Sequence, residues 1–142
     1  MTPYEQLRAK LNELLPERLE LRFGCEVTPD LTKNKFAGNS IGVLIGKDVS
    51  GRNEIKFPMS TCCYDKNFIN DRFTILGTPP TLREILRAIG KSNPNEHLVS
   101  TKGKLIQVVG TGGMFHLMCD IDLSKPPSEW DDETIKKLNE LL

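Results

Sequence analysis

Apolar residues Tyr4, Leu7, Leu11, Leu14 and Leu15 recur at helical spacing directly after Thr2-Pro3-Tyr4-Glu5. Thr2 and Glu5 can exchange side-chain-to-backbone hydrogen bonds as a capping box, Pro3 suits the first helical position, and Pro16 cannot continue a helix. The pattern predicts a helix that ends at Leu15 and turns one stripe to a core. From Leu19 the period becomes two. Leu19, Leu21, Phe23, Cys25 and Val27 alternate with Glu20, Arg22, Gly24 and Glu26, which predicts a half-buried strand with Cys25 facing inward.

Residues 28–39 show no periodicity and read as a loop before a second strand near Ser40 to Val49. Ser50-Gly51-Arg52-Asn53 supplies turn chemistry, and Glu54 to Phe57 can pair back before Pro58, which limits that strand to an edge or an end. Residues 59–72 fit either a short helix or a functional loop. A short strand at Phe73 to Leu76 leads through Gly77 and Pro79-Pro80 to a second capping box, Thr81-Leu82-Arg83-Glu84. Leu82, Ile85, Leu86 and Ile89 then share one helical face, Arg83 and Arg87 share another, and Gly90 is the expected stop.

Two hairpins follow in the pattern: His97 to Thr101 turning at Lys102-Gly103 into Lys104 to Val109, then Gly110-Thr111-Gly112-Gly113 into Met114 to Leu123. After Pro126-Pro127, Asp131 to Leu142 carries acids early and Ile135, Leu138 and Leu142 in register, a third helix with favourable dipole chemistry. Hairpin-length connections favour antiparallel pairing over βαβ crossovers. The expected fold is therefore a single α+β domain over residues 1–142, an antiparallel sheet of short strands with N-terminal, central and C-terminal helices. No internal repeat or low-complexity tract interrupts it.

Composition changes this picture little. The 142 residues carry 19 basic and 19 acidic side chains, so no broad electrostatic field drives non-specific binding to nucleic acid or anionic membranes. No window supplies the roughly twenty apolar residues of a membrane span, and the first twenty residues are charged every few positions, unlike a secretory leader. Cytoplasmic localisation is expected, with the four cysteines Cys25, Cys62, Cys63 and Cys119 as reduced thiols.

Charge is nevertheless polarised along the chain. Residues 82–104 hold five basic and two acidic side chains, and residues 105–142 three basic and seven acidic. Arg83, Arg87 and Lys91 are the candidate binding residues of the basic part. Trp130, the only tryptophan, either staples the last helix or anchors a partner, since Trp and Arg dominate interface energetics.

Catalytic and cofactor constellations are weak. Gly38 to Lys47 invites a phosphate-loop reading, but the spacing from Gly42 to Gly46 is one residue short and Asp48 stands where a metal-binding hydroxyl belongs. Gly110 to Gly113 lacks a lysine and reads as a turn, although its amides can form an anion nest. His116, Cys119, Cys62 and Cys63 are of zinc-ligand type, yet strand alternation sends the members of each close pair to opposite faces. No local signature ties His97 or His116 to a cysteine nucleophile, and Asp120 with Asp122 reads as the solvated side of a strand. No enzyme activity, metal or cofactor is expected.

Three segments carry a resemblance: Leu19-Glu20-Leu21-Arg22-Phe23-Gly24-Cys25-Glu26-Val27, Ile75 through Gly90, and Cys119-Asp120-Ile121-Asp122-Leu123-Ser124-Lys125 with Glu133-Thr134-Ile135. Together they resemble a family of small proteins of unknown function encoded by bacteriophages and prophages. The resemblance implies phage origin and no established activity. The expected function is that of a phage accessory protein that binds a host or phage macromolecule, with inhibition of a host defence system as one outcome. Two other readings stand beside it: sequestration of a small anionic ligand such as a nucleotide, using Arg83, Arg87 or the glycine turns, and nucleic-acid binding through residues 82–104. Self-association through the oppositely charged faces would also be consistent with the charge pattern.

Overall fold

The structure is a computed structural model that describes residues 2–30, 32–33, 40–92, 96–102, 105–110, 119–120 and 125–142, with the backbone path alone for 96–102, 105–110 and 119–120. Its elements in chain order are α1 (Pro3–Leu14), β1 (Glu26–Pro29), β2 (Gly42–Lys47), β3 (Asn53–Lys56), β4 (Thr61–Tyr64), α2 (Lys66–Arg72), β5 (Phe73–Gly77), α3 (Leu82–Ser92), β6 (Glu96–Lys102), β7 (Leu105–Gly110), β8 (Cys119–Asp120) and α4 (Asp132–Leu141). Short 3-10 turns occupy Pro16–Leu19 and Pro127–Glu129. The class is α+β with antiparallel pairing throughout the described strands, as the connection lengths predicted. Among the described residues no helix is long and apolar enough to cross a membrane.

The chain forms two compact units. One comprises Met1–Leu15 and Pro80–Leu142, and the other, Pro16–Pro79, is inserted between α1 and α3. Both crossings fall at prolines, where neither a helix nor a ladder can continue through the missing N–H.

In the discontinuous unit, α1, α3 and α4 bury one stripe each: Leu7, Leu11 and Leu15, then Ile85, Ala88 and Ile89, then Ile135 and Leu138. Each fully buried leucine or isoleucine among these contributes about 1.5–3 kcal/mol. The capping boxes are formed. Glu5 N donates to Thr2 Oγ1 at 3.1 Å while Thr2 N donates to Glu5 Oε2 at 3.0 Å, and Glu84 N reaches Thr81 Oγ1 at 3.2 Å. α4 begins on Asp131, which accepts from Thr134 N at 2.7 Å, and the Thr134 hydroxyl and amide hold the Asp131 carboxyl below its usual range. A three-stranded sheet ordered β6-β7-β8 completes the unit. Lys102 pairs with Leu105, so the first expected hairpin is present, while Gly103 and Lys104 of its turn lie outside the described residues. Of the second turn, Gly110 closes β7, and Thr111, Gly112 and Gly113 lie outside them too.

The inserted unit is a five-stranded sheet in the order β4-β3-β2-β1-β5 with α2 packed on one face. Its core joins Cys25, just ahead of β1, and Val27, Leu44 and Ile55 from β1, β2 and β3 with Ile69 from α2. A ring cluster borders this core, with Tyr64 stacked on Phe68 at 4.8 Å between centroids and the Arg72 guanidinium 5.7 Å over Phe68.

Here the alternation from Leu19 to Val27 misleads. Only Glu26–Pro29 is strand; Cys25 N bonds Arg22 O at 2.9 Å across a turn in which Gly24 has φ +85°, a value that L side chains rarely adopt. The turn rotates the preceding residues out of the pattern, so Cys25 and Val27 are buried whereas Phe23 is 77% exposed. Residues 59–72 resolve into β4 and a helix capped by Asp65, whose carboxylate accepts from Phe68 N at 2.8 Å. α3 runs two residues past Gly90, because the packing of Ile85, Ala88 and Ile89 outweighs the roughly 1 kcal/mol cost of a helical glycine.

Between β2 and β3 a turn is organised by one carboxylate. Asp48 Oδ1 accepts from Ser50 Oγ at 2.7 Å and from Ser50 N and Arg52 N at 2.9 Å. The Ser50 hydroxyl bond, with the two amides and the Arg52 charge, holds the Asp48 carboxyl below its usual range. Since its folded pKa lies below the unfolded one, the carboxylate's contribution is fully present above the ordinary carboxylate range and is lost as pH falls through the folded value. In an NMR acid titration the Ser50 and Arg52 amides are expected to hold their shifts from pH 7 to about 5, then move together with a midpoint lower than that of a free aspartate. A midpoint at or above that of free aspartate contradicts this account of the turn.

Candidate functional site

The basic residues singled out in the sequence assemble on α3. This helix exists because the Thr81–Glu84 capping box starts it after Pro80, with Thr81 N and Oγ1 donating to Glu84 Oε1 at 3.2 and 3.1 Å, and because Ile85, Ala88 and Ile89 fall on one stripe. All three of those side chains are fully buried. Arg83 and Arg87 are exposed one turn apart, at the i and i+4 positions that neighbour each other on a helix surface, and Lys91 continues the row a turn later. Burial of the opposite stripe fixes the azimuth of these cations relative to the core, so they form a set array along about two turns of helix.

Lys91 is tied into the fold. Lys91 Nζ donates to Leu14 O at 3.3 Å, at the C-terminal end of α1, where an ammonium satisfies an orphan carbonyl and meets the negative end of the helix dipole. Lys91 therefore has a structural use, tying the ends of α1 and α3 together. Of the remaining basic residues, Lys102 ends β6 and Lys104 lies outside the described residues.

Trp130 is corrected by the structure. It is 8% exposed, belongs to the core shared by α1, α3 and α4, and its indole Nε1 donates to Lys125 O at 3.1 Å. A ring committed on its faces to packing and on its edge to a carbonyl has no surface left for a partner. The stapling role is the one it fills, because Trp130 directly precedes the Asp131 cap and shares a core cluster with Ile135, the fourth residue of α4.

The other candidates separate in space or leave the described region. Gly42 to Lys47 is strand β2, and a Cβ on Gly42 would lie 2.5 Å from Ile55 Cγ2, so this glycine serves close strand packing and not a phosphate cradle. Cys62 and Cys63 sit on β4 opposite Ile55 and Glu54 respectively, hence on opposite faces. Burial, followed by the charges of Asp48 and Glu54, pushes the Cys63 thiol up, which disfavours a thiolate. Cys119 and Asp120 form β8, His97 lies on β6, and His116 and Asp122 lie outside the described residues. Among the described residues no group of three or more His, Cys, Asp or Glu is arranged to hold a metal ion.

The exposed large apolar side chains of the described residues all fall in the inserted unit. Val49 lies in the turn before β3 and Met59 in the turn after it, at opposite ends of that strand.

The class defined by these elements is an α+β protein built from a helical unit interrupted by a five-stranded antiparallel sheet unit. Comparison with protein-family models, with curated proteins and with solved structures finds no match to the chain.

Proposed function

We propose that the protein acts without catalysis, by binding a macromolecule that presents an acidic surface to the Arg83–Arg87 face of α3. The observation that carries this reading is the pair of exposed arginines one turn apart on a helix whose opposite stripe, Ile85, Ala88 and Ile89, is fully buried. Guanidinium groups held on a rigid element can meet carboxylates in bidentate pairs, which gives orientation as well as attraction. The resemblance to phage-encoded and prophage-encoded proteins makes a host protein the favoured class of partner, and a component of a defence system one such target.

The test compares the protein with an Arg83→Glu, Arg87→Glu double variant as bait in lysate of a bacterial host, with captured molecules identified by mass spectrometry. A protein partner retained at low salt and released as salt rises is expected, with retention by the variant reduced at least about tenfold. Unchanged thermal melting of the variant confirms that the fold is intact. Equal capture by both forms overturns the reading, and a captured species that nuclease removes transfers it to nucleic acid.

A further inference from the structure

The inserted unit contains a cleft of about 600 Å³, within the size range of small-molecule sites. Three chain segments wall it: the 3-10 turn and the residues after it, the ends of β2 and β3 beside the Asp48 turn, and the first turns of α2. Its position follows from register. Lys47 pairs directly with Asn53, and Asn53 pairs with Tyr64, so these three share one face at the end of the sheet where the chain turns into α2. Lys66 and Asn70 stand at i and i+4 on α2 and both line the cleft, facing it from one side of that helix.

Asn53 is the informative residue. It is only 4% exposed, it lines the cleft, and among the described residues no hydrogen bond engages its carboxamide. Neither its oxygen nor its nitrogen is sealed from solvent, so the carboxamide offers two donors and two acceptor sites to the water or ligand in the cleft. Such a group at the wall of an open cleft is available to whatever fills the space. The charges around it are balanced: Lys47 and Lys66 against Glu20 and Asp65. Asp65 stays charged while one of its oxygens caps α2 through Phe68 N, so Glu20 and Asp65 form the anionic wall and the two lysines the cationic one. Leu19 and Leu21 add apolar surface.

From this arrangement we infer that the cleft binds a small zwitterion with an apolar side chain, a free α-amino acid or a short peptide. The lysines take the carboxylate, Glu20 takes the ammonium, the Asn53 carboxamide pairs with the polar backbone of the ligand, and Leu19 with Leu21 receives its side chain. A simple anion leaves Glu20 opposed by like charge, and an uncharged analogue leaves both charged walls unmet. The site is separate in sequence and in unit from the α3 face, so either proposal can fail without the other.

The experiment is a titration of the full-length, isotope-labelled protein followed by NMR, reading the Asn53 and Asn70 side-chain amides. The probes are L-leucine, the dipeptide Leu-Leu, 4-methylpentanoate as the anion alone, and N-acetyl-leucine amide as the uncharged form. Saturable shifts of both amides with L-leucine or Leu-Leu, and weaker binding of the other two by about tenfold or more, are expected. The stronger of the two zwitterions distinguishes a free amino acid from a peptide. A Lys47→Ala, Lys66→Ala double variant, altered only at exposed positions, should keep a dispersed spectrum and lose at least about tenfold in affinity. Absence of saturable shifts with both zwitterions, binding of 4-methylpentanoate as tight as that of leucine, or undiminished binding by the double variant overturns the inference.

Discussion

Arg18→Ala is expected to destabilise the inserted unit by about 3 kcal/mol or more, from a lost part-buried hydrogen bond and lost packing together. The side chain is fully buried, and its guanidinium Nη2 donates to the carbonyl oxygen of Thr78, just beyond Gly77 at the end of β5. This contact fastens the 3-10 turn that opens the unit to the strand that closes it. Arg22 Nη2 reaches the Thr78 hydroxyl at 3.4 Å, a longer contact from an exposed side chain that cannot replace it. Removing the guanidinium deprives a part-buried carbonyl of its donor, and removing the aliphatic stem leaves a void. Arg18→Met separates the two, since it restores much of the stem volume and no donor; a loss of about 1–3 kcal/mol is expected for it. Native-state hydrogen exchange of the β1 and β5 amides measures both variants. A change below about 1 kcal/mol for Arg18→Ala would show that the buried cation is dispensable.

The second large effect belongs to the helical unit. Leu11→Ala removes a fully buried side chain from the cluster where Leu7 and Leu15 of the first helical segment meet Ile85, Ile89, Ile135 and Leu138. Truncation of a buried leucine costs about 2–5 kcal/mol, the spread reflecting how far neighbours collapse into the void. Three helices converge here, each pinned by its own cap, so collapse is restricted and a value in the middle of that range is expected. Trp130 is the only tryptophan and belongs to the same core, which makes its fluorescence a local reporter. A fall of about 1–2 M in the urea midpoint of that signal is expected, and an unchanged midpoint would contradict the cluster as the stabilising core of this unit.

Much of the helical unit was legible because its signals are local. Thr2 with Glu5 and Thr81 with Glu84 are three residues apart, and their side chains reach the early amides of their own helices whatever else the chain does. The same holds for the leucine and isoleucine stripes, and with them for the exposure of Arg83 and Arg87. Trp130 was ambiguous in sequence because a large amphipathic ring serves equally well in a core and at an interface, and neighbouring residues do not distinguish the two.

The inserted unit was legible only in part. Asp65 before Phe68 and Ile69 is a readable cap signal, yet Cys62, Cys63 and Tyr64 ahead of it obscured where strand gave way to helix. The alternation at Leu19 to Val27 was genuine but was cut by Gly24, and whether a glycine in such a run extends or turns depends on what pairs with it. Here Gly24 N donates to Leu44 O and Leu44 N donates to Cys25 O, both at 2.9 Å, contacts some twenty residues apart.

The sequence alone determined the α+β class, the three principal helices with their buried stripes, and the cationic row on α3, because helix periodicity and capping act over three or four residues. Tertiary structure alone decided the division into two units, the burial of Arg18 and Trp130, and the meeting of Lys47, Asn53 and Lys66 around one cleft. Those features depend on strand register and on chain segments distant in sequence, whose pairing is selected by the free energy of burying the whole core and not by any local residue pattern.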